Sequence, residues 1–141
     1  MRKNFFISIE SQQTVDGQVE TTKVFAPCTY ALNAGFARIA YEEEHDEQKI
    51  LSCITVCENG KVIISRKGAF TTELILENGA HNHCTYETEF GTLEMGVLTH
   101  EIVQNFAEDG GQVKLAYSLE VGGRPMSDNN VAITVKEKID V

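Results

Sequence analysis

Apolar and polar residues alternate along most of the chain with a period of two, which predicts strands rather than helices. The clearest example is the segment QVKLAYSLEV, whose apolar face is formed by Val113, Leu115, Tyr117, Leu119 and Val121. The segments NFFISIE, KVIISRK, TTELILE and VAITVKE alternate similarly, whereas KILSCITVCE at 49–58 is largely apolar on both faces. We therefore predict many strands, each turning one face toward a core.

Turn-forming residues separate these segments at intervals of about eight to twelve residues. They are Asp16-Gly17, Asn59-Gly60, Asn78-Gly79, Phe90-Gly91, Asp109-Gly110-Gly111, Gly122-Gly123 and Asp128-Asn129-Asn130. Such residues tolerate the positive φ angles that tight hairpins require. Helical signals are weak. The segment 99–109 has apolar residues at helical spacing, but its apolar and polar residues also alternate with a period of two. Residues 28–36 have room for one short helical turn.

This pattern predicts an all-β fold. Strands joined by tight turns, without crossover helices, form an antiparallel meander, and closure into a barrel removes its free edges most fully. We predict one antiparallel up-and-down barrel of about eight to ten strands, a size that encloses side chains and one small ligand. A length of 141 residues predicts a single domain spanning 1–141.

Charge and composition exclude several classes of partner. The chain carries 21 acidic and 12 basic residues, for a formal net charge of −9, and the basic residues are scattered. An acidic surface without a basic stripe repels phosphate groups, so neither nucleic acid nor an anionic membrane is expected as a partner. A hydrophobic fraction of 42% is enough to form a core that is stable without disulfide bonds.

The N-terminal segment and the cysteines both predict a soluble, cytoplasmic protein. The apolar run Phe5–Ile9 is shorter than the roughly 7–15 residues of a secretory signal. Cys53 and Cys57 would lie ~13 Å apart in a strand, too far for a disulfide, and their spacing does not match a zinc knuckle. We expect free thiols at Cys28, Cys53, Cys57 and Cys84.

Several ordered strings resemble the YwiB-like family of small bacterial barrels of unknown function. They are VIISRKGAFTTELILENG, CTYETEFGTLEMGVLT, AYEEEH at 40–45 and LAYSLEVGG at 115–123, so the resemblance covers most of the chain. It implies a calycin-like fold, related in shape to lipocalins and fatty-acid-binding proteins. It implies no reaction, since shape alone transfers no chemistry.

The stretch HNHCTYETEFG at 81–91 places two histidines beside a cysteine. In a strand, Cys84, Tyr86, Thr88 and Phe90 share the inner face, whereas His81 and His83 point outward, ~7 Å apart. An outward pair binds metal only with a third ligand from a neighbouring strand, such as His100 or a carboxylate. We favour a solvent-exposed pair and predict no metal.

Arg66 has the parity of Val62 and Ile64, which directs its guanidinium toward the core. Burying an unpaired charge costs several kcal/mol, so a partner is required. In one account Arg66 is structural, closing a barrel mouth with a carboxylate or backbone carbonyls, and the acidic run 42–47 offers the nearest carboxylates. In the other it receives an anionic ligand.

Hydroxyl groups on the predicted inner face complete the candidate ligand-binding set. With Arg66 they are Tyr86, Thr88, Tyr117, Tyr41 and Thr99. A buried hydroxyl needs a hydrogen-bond partner, although a tyrosine on an apolar face also serves as core packing with its hydroxyl at the rim. The orientation of Tyr41 and Thr99 does not follow from their own strands.

Catalytic templates are missing from the sequence, so no catalytic residue and no cofactor is predicted. His83 and Cys84 are consecutive and point to opposite faces, and the sequence has no phosphate-binding loop or nucleophile elbow. We expect a non-enzymatic barrel that binds a small anionic or amphipathic molecule in its interior. The first alternative is a protein-interaction module with a side-chain-filled barrel. The second, which no residue spacing supports, is an enzyme that acts on the bound ligand through Arg66 and the tyrosines. Oligomeric state stays open, with a two-fold homodimer as the commonest precedent.

Overall fold

Ten strands make up the regular structure of residues 4–45, 47–68 and 70–138, which the computed structural model describes; for His45 and Thr88 it describes the backbone. They are β1 (Asn4–Val15), β2 (Gln18–Asn33), β3 (Phe36–His45), β4 (Gln48–Cys57), β5 (Val62–Lys67), β6 (Thr71–Leu76), β7 (His81–Thr88), β8 (Gly91–Ala107), β9 (Gly110–Val121) and β10 (Arg124–Lys138). No helix in these ranges is long and apolar enough to cross a membrane.

The strands form one closed barrel in which each strand pairs with the next along the chain. Every pairing is antiparallel, and β1 closes the barrel against β10, with Ile7 opposite Val135 and Ile9 opposite Ile133. The predicted all-β, up-and-down barrel is therefore confirmed, and ten strands lie at the upper end of the expected range. In this topology the turns after β1, β3, β5, β7 and β9 lie at one end, called here the Arg66 mouth.

Side-chain alternation along each strand divides the barrel into an inner apolar face and a more polar outer face. The largest fully buried side chains are branched aliphatics from nearly every part of the wall: Ile7, Ile39, Ile50, Ile54, Leu76, Ile133, Val62, Val97, Val113 and Val135. The face of β9 predicted to be apolar points inward, with Val113, Leu115 and Tyr117 buried. Branched residues suit this face because they pack well on a pleated surface.

Two local predictions were wrong. Residues 28–36 contain no helical turn, because β2 runs on to Asn33 and a two-residue turn containing Gly35, with φ of 93°, leads into β3. Residues 128–130 form part of β10 instead of a turn. Asn129 is buried and donates from Nδ2 to Ser127 Oγ at 3.1 Å, so a local hydrogen bond satisfies the polar side chain inside a strand.

The contact between β2 and β3 covers only part of either strand. Residues 29–33 of β2 pair with 36–40 of β3, whereas residues 18–28 pair with β1 alone. Residues 18–23 of β2 are exposed on both faces. The β1–β2 hairpin therefore extends from the barrel wall at the Arg66 mouth and leaves one strand edge unpaired.

Candidate functional site at the Arg66 mouth

A row of polar side chains crosses five neighbouring strands inside the Arg66 mouth. The cross-strand pairs are Tyr41 with Ser52, Ser52 with Arg66, Arg66 with Thr72, and Thr72 with Tyr86. Residues directly opposite each other in antiparallel strands point to the same face. The register therefore places these five side chains side by side on the inner wall, and we call them the polar row.

Arg66 is held by an ion pair at the centre of this row. Its Nη2 donates to Glu43 Oε2 at 2.7 Å, and the two side chains are 30% and 12% exposed, respectively. Glu43 belongs to the acidic run 42–47 from which a partner was expected. The guanidinium also lies over the ring of Phe70, 5.0 Å from its centre. Arg66 is thus partly desolvated, and its charge is balanced.

Two buried tyrosines surround this ion pair. Burial raises the pKa of Tyr41, and a hydrogen bond to Glu43 and its charge raise this pKa further, against smaller lowering effects of Ser52 and Arg66. Burial also raises the pKa of Tyr117 to about 12, while the Arg66 charge lowers it and Cys84 raises it. Both phenols therefore keep their proton well above neutral pH, and the Tyr41 hydroxyl is already bonded to Glu43.

An aromatic pair covers the row at its β6–β7 end. Phe70 stacks on Tyr86 with ring centres 5.1 Å apart and an interplanar angle of 17°. The ring of Phe70 thereby contacts both Tyr86 and the Arg66 guanidinium. Arg66 and Tyr86, chosen from the sequence as separate candidates, are joined through a residue that sequence reasoning did not select.

The remaining two candidates of the predicted set are Thr99 and Thr88. Thr99 is 1% exposed and pairs with Tyr117 across β8 and β9, which links it to the same part of the interior. The side chain of Thr88 lies outside the described residues. The expected inward direction of Phe90 was wrong: Phe90 is 92% exposed, because it lies in the turn after β7. Of the predicted set, the structure brings Arg66, Tyr41 and Tyr117 into one electrostatic group.

Four buried polar atoms have no hydrogen-bond partner within the described part of the protein. They are Ser52 Oγ, Arg66 Nε, Thr72 Oγ1 and Thr99 Oγ1. The first three occupy successive positions of the polar row. Sequence reasoning missed Ser52 and Thr72, although each is a lone hydroxyl among aliphatic residues of the same parity.

Comparisons with known proteins agree with this architecture. The family model described as Domain of unknown function (DUF1934) matches residues 7–133. The chain belongs to this family. It is 29% identical over 119 residues to the uncharacterized beta-barrel protein YwiB of Bacillus subtilis (strain 168), covering 84% of this chain and 83% of that one. The crystal structure of ywiB protein from Bacillus subtilis superposes with a TM-score of 0.87 at 26% identity, covering 97% and 93% of the two chains.

On the outer wall of this DUF1934 chain, the three histidines whose side chains the structure describes, His81, His83 and His100, do not come together with a third metal ligand. His81 and His83 point outward as predicted, and His81 Nε2 lies 3.2 Å from Glu120 Oε2. His100 is bonded elsewhere, with Nε2 2.7 Å from Ser118 Oγ. Within 4–45, 47–68 and 70–138 there is no group of three potential metal ligands.

The four cysteines of the DUF1934 chain are free thiols. Cys84 is buried on the inner wall, and burial raises its pKa. Burial also raises the pKa of Cys28 to about 11. Since the thiolate is the reactive form, these two thiols act as small apolar side chains of the interior.

Proposed function

We propose that this protein binds a small amphipathic molecule whose acidic or hydrogen-bond-accepting head lies beside Arg66 inside the barrel. The observation that carries the proposal is the alignment of Ser52 Oγ, Arg66 Nε and Thr72 Oγ1, three buried and unpartnered polar atoms on neighbouring strands. A buried polar group without a partner costs about 1–3 kcal/mol. An occupant that bonds to all three atoms recovers this energy.

The chemistry of the three atoms defines the head group. Arg66 uses Nη2 for Glu43 and keeps Nε, the neighbouring donor of the same planar fork, for a second acceptor. The hydroxyls of Ser52 and Thr72 flank this donor and serve as donors or acceptors. A carboxylate or similar oxygen group fits these donors, and Glu43 keeps the site close to neutral until such a group binds.

The side chains below the row are apolar and pack against one another in the core, so an apolar tail binds there by displacing these contacts. Ile39, Ile54 and Leu76 line the interior on the strands that carry the polar row. Apolar contact contributes about 25 cal/mol for each Å² removed from water, so a short tail adds affinity without further polar contacts. This combination of an apolar lining with a few polar groups is typical of small-molecule sites.

A second candidate function is a protein-interaction module whose interior is closed by its own side chains. The Arg66–Glu43 ion pair favours it, because a carboxylate of the protein already occupies one side of the guanidinium and Phe70 covers that charge. For either function we propose a cytoplasmic location, in keeping with four free thiols.

Ligand capture tests the proposal. Native mass spectrometry of protein purified from its own host is expected to show a bound small molecule that is released on denaturation. A series of carboxylates of increasing chain length is expected to raise the melting temperature. Protein without a bound mass, and with a melting temperature that no carboxylate shifts, would contradict ligand binding.

Thr72→Val separates the two candidate functions. If the Thr72 hydroxyl bonds to a ligand, this variant loses ligand affinity, whereas Thr85→Val on the exposed outer face of β7 does not. If side chains close the interior, neither the wild type nor Thr72→Val binds a carboxylate. The variant then gains about 1 kcal/mol in free energy of unfolding, because it no longer buries a hydroxyl without a partner. Chemical denaturation and the carboxylate titration distinguish these outcomes.

A further inference from the structure

The unpaired edge of β2 has the features of a contact between two copies of this chain. We propose that residues 18–26 of β2 join the same residues of a second copy as antiparallel strands, extending the sheet of each barrel across a two-fold axis. This inference is independent of the interior ligand. It rests on the backbone pairing of β2, on its exposed apolar side chains and on the symmetry of their spacing.

The edge of β2 over residues 18–28 is unpaired because β3 pairs only with residues 29–33. Pairing with β3 begins only at Thr29, whereas residues 18–28 pair with β1 on their other side. The side chains of residues 18–23 are all exposed, so no other part of the described chain covers this segment. A free row of backbone N–H and C=O groups is a template for another strand.

The hairpin geometry identifies which backbone groups point outward. Asp16 and Gly17 both have positive φ, at 50° and 78°, as in a type I′ turn, which makes Val15 and Gln18 a hydrogen-bonded pair. Along an antiparallel ladder, bonded and non-bonded pairs alternate, so the odd-numbered residues of β2 direct their backbone groups to the free edge. The edge donors are Val19, Thr21, Lys23 and Phe25. Pro27 has no N–H and ends this row, as prolines of edge strands do.

The side chains beside these donors complement a second copy of themselves. With Thr22 of both copies on the two-fold axis, Val19 lies opposite Phe25 of the second copy, and Thr21 lies opposite Lys23. Val19 is 60% exposed and Phe25 is 75% exposed, so the contact covers two of the most exposed apolar side chains. Phe25 is already oriented by stacking on Phe6, with ring centres 5.5 Å apart.

Neighbouring registers are less favourable. Centring the axis on Thr21 places Phe25 opposite Gly17 of the turn. Centring it on Lys23 opposes two like charges and places Val19 opposite Pro27. Of these three registers, the one centred on Thr22 pairs Val19 with Phe25 without opposing like charges, and this self-complementarity favours a second copy over an unrelated extended peptide.

Charge exchange across the contact tests this register. Val19→Lys and Phe25→Glu are each expected to convert the dimer to a monomer in sedimentation velocity, because each places a charge against an apolar side chain. The double variant Val19→Lys/Phe25→Glu is expected to restore the dimer through Lys–Glu pairs. The two positions lie six residues apart on one strand, ~20 Å, so the restored pair can form only between copies. A wild-type chain that is monomeric at every concentration, or a double variant that stays monomeric while folded by circular dichroism, would overturn the proposal.

A disulfide at the two-fold axis provides a second test. Opposed residues of a non-hydrogen-bonded pair have Cα atoms about 4.5 Å apart, within disulfide range. Thr22→Cys is therefore expected to form a covalent dimer on mild oxidation. Glu20→Cys, with the two copies ~13 Å apart in this register, is not. Equal cross-linking of both variants would contradict the register.

Thr21→Pro removes a backbone donor at the free edge without breaking a hydrogen bond to β1, so it must abolish the dimer while the barrel stays folded. A persistent dimer would place the contact elsewhere.

Discussion

The ion pair between Arg66 and Glu43 allows a quantitative prediction about the stability of the barrel. Arg66→Met removes the guanidinium, keeps most of the side-chain volume, and leaves the Glu43 carboxylate, 12% exposed, without its cation. Removing one partner of a fully buried pair costs about 3–5 kcal/mol. Because the Arg66 side chain is 30% exposed, solvent screens part of the interaction, and we expect a loss of about 2–3 kcal/mol.

A double-mutant cycle isolates the interaction itself. Glu43→Gln keeps a hydrogen-bond acceptor for Arg66, so we expect a cost of about 1 kcal/mol. The combined variant has no charge left to bury, and we expect it to lose less than the sum of the two single variants, with a coupling of about 2 kcal/mol. Urea denaturation measures all four proteins. A loss of 2–3 kcal/mol lowers the midpoint by roughly 1–2 M.

The control for this cycle is Lys67→Met. Lys67 is the next cation along β5 and is exposed on the outer face, so its removal is expected to change the free energy of unfolding by less than about 0.5 kcal/mol. If Arg66→Met behaves like this control, or if the two changes at Arg66 and Glu43 add within about 0.5 kcal/mol, the ion pair does not stabilise the barrel. Carboxylate binding by Arg66→Met also separates a structural role of Arg66 from a ligand-binding role. Removing a structural arginine lowers stability and leaves ligand affinity unchanged, whereas removing a ligand-binding arginine lowers the affinity.

Two further predictions concern alkaline pH and close backbone approach. Since burial raises the pKa of Tyr117 to about 12, its contribution to stability is complete below pH ~10 and is lost as pH rises toward 12, by roughly 2–3 kcal/mol. Burial also raises the pKa of Tyr41 and of Cys28, so the urea midpoint of Tyr117→Phe should still fall across this range, but less steeply than that of the wild type; equal slopes would contradict the assignment. Gly111→Ala drives a Cβ into the carbonyl oxygen of Asn105, so we expect the free energy of unfolding to fall by more than about 3 kcal/mol. Gly17→Ala, whose Cβ meets nothing within 4 Å, should cost only about 1 kcal/mol of φ strain. Thermal melts that rank the two variants in the opposite order would refute the steric explanation.

The two wrong local predictions share a physical cause. Asp128-Asn129-Asn130 has the composition of a turn, yet Asn129 is held inside β10 by hydrogen bonds to Ser127 and to the Tyr117 carbonyl. Residues 28–36 lack strong alternation, yet pairing with β1 and then β3 keeps them extended up to Asn33. In both cases contacts with neighbouring strands outweigh the preference of the local segment.

The sequence by itself determined the class of the fold and the side of the wall on which most residues lie. A period of two is a property of each strand alone, so the inward direction of Arg66, Tyr86 and Tyr117 follows from their neighbours in the chain. The outward direction of His81 and His83 follows in the same way, and it separates them from Cys84.

Only the tertiary structure decided which inward residues meet. Glu43 contacts Arg66 across 23 positions of sequence, and Ser52 and Thr72 flank it because of the registers of three strand pairs. Register depends on turn geometry and on packing of the whole sheet, and neither can be read from one strand. The free edge of β2 has the same origin, since it appears only where β3 pairs with β4 along its full length and with β2 along half of it.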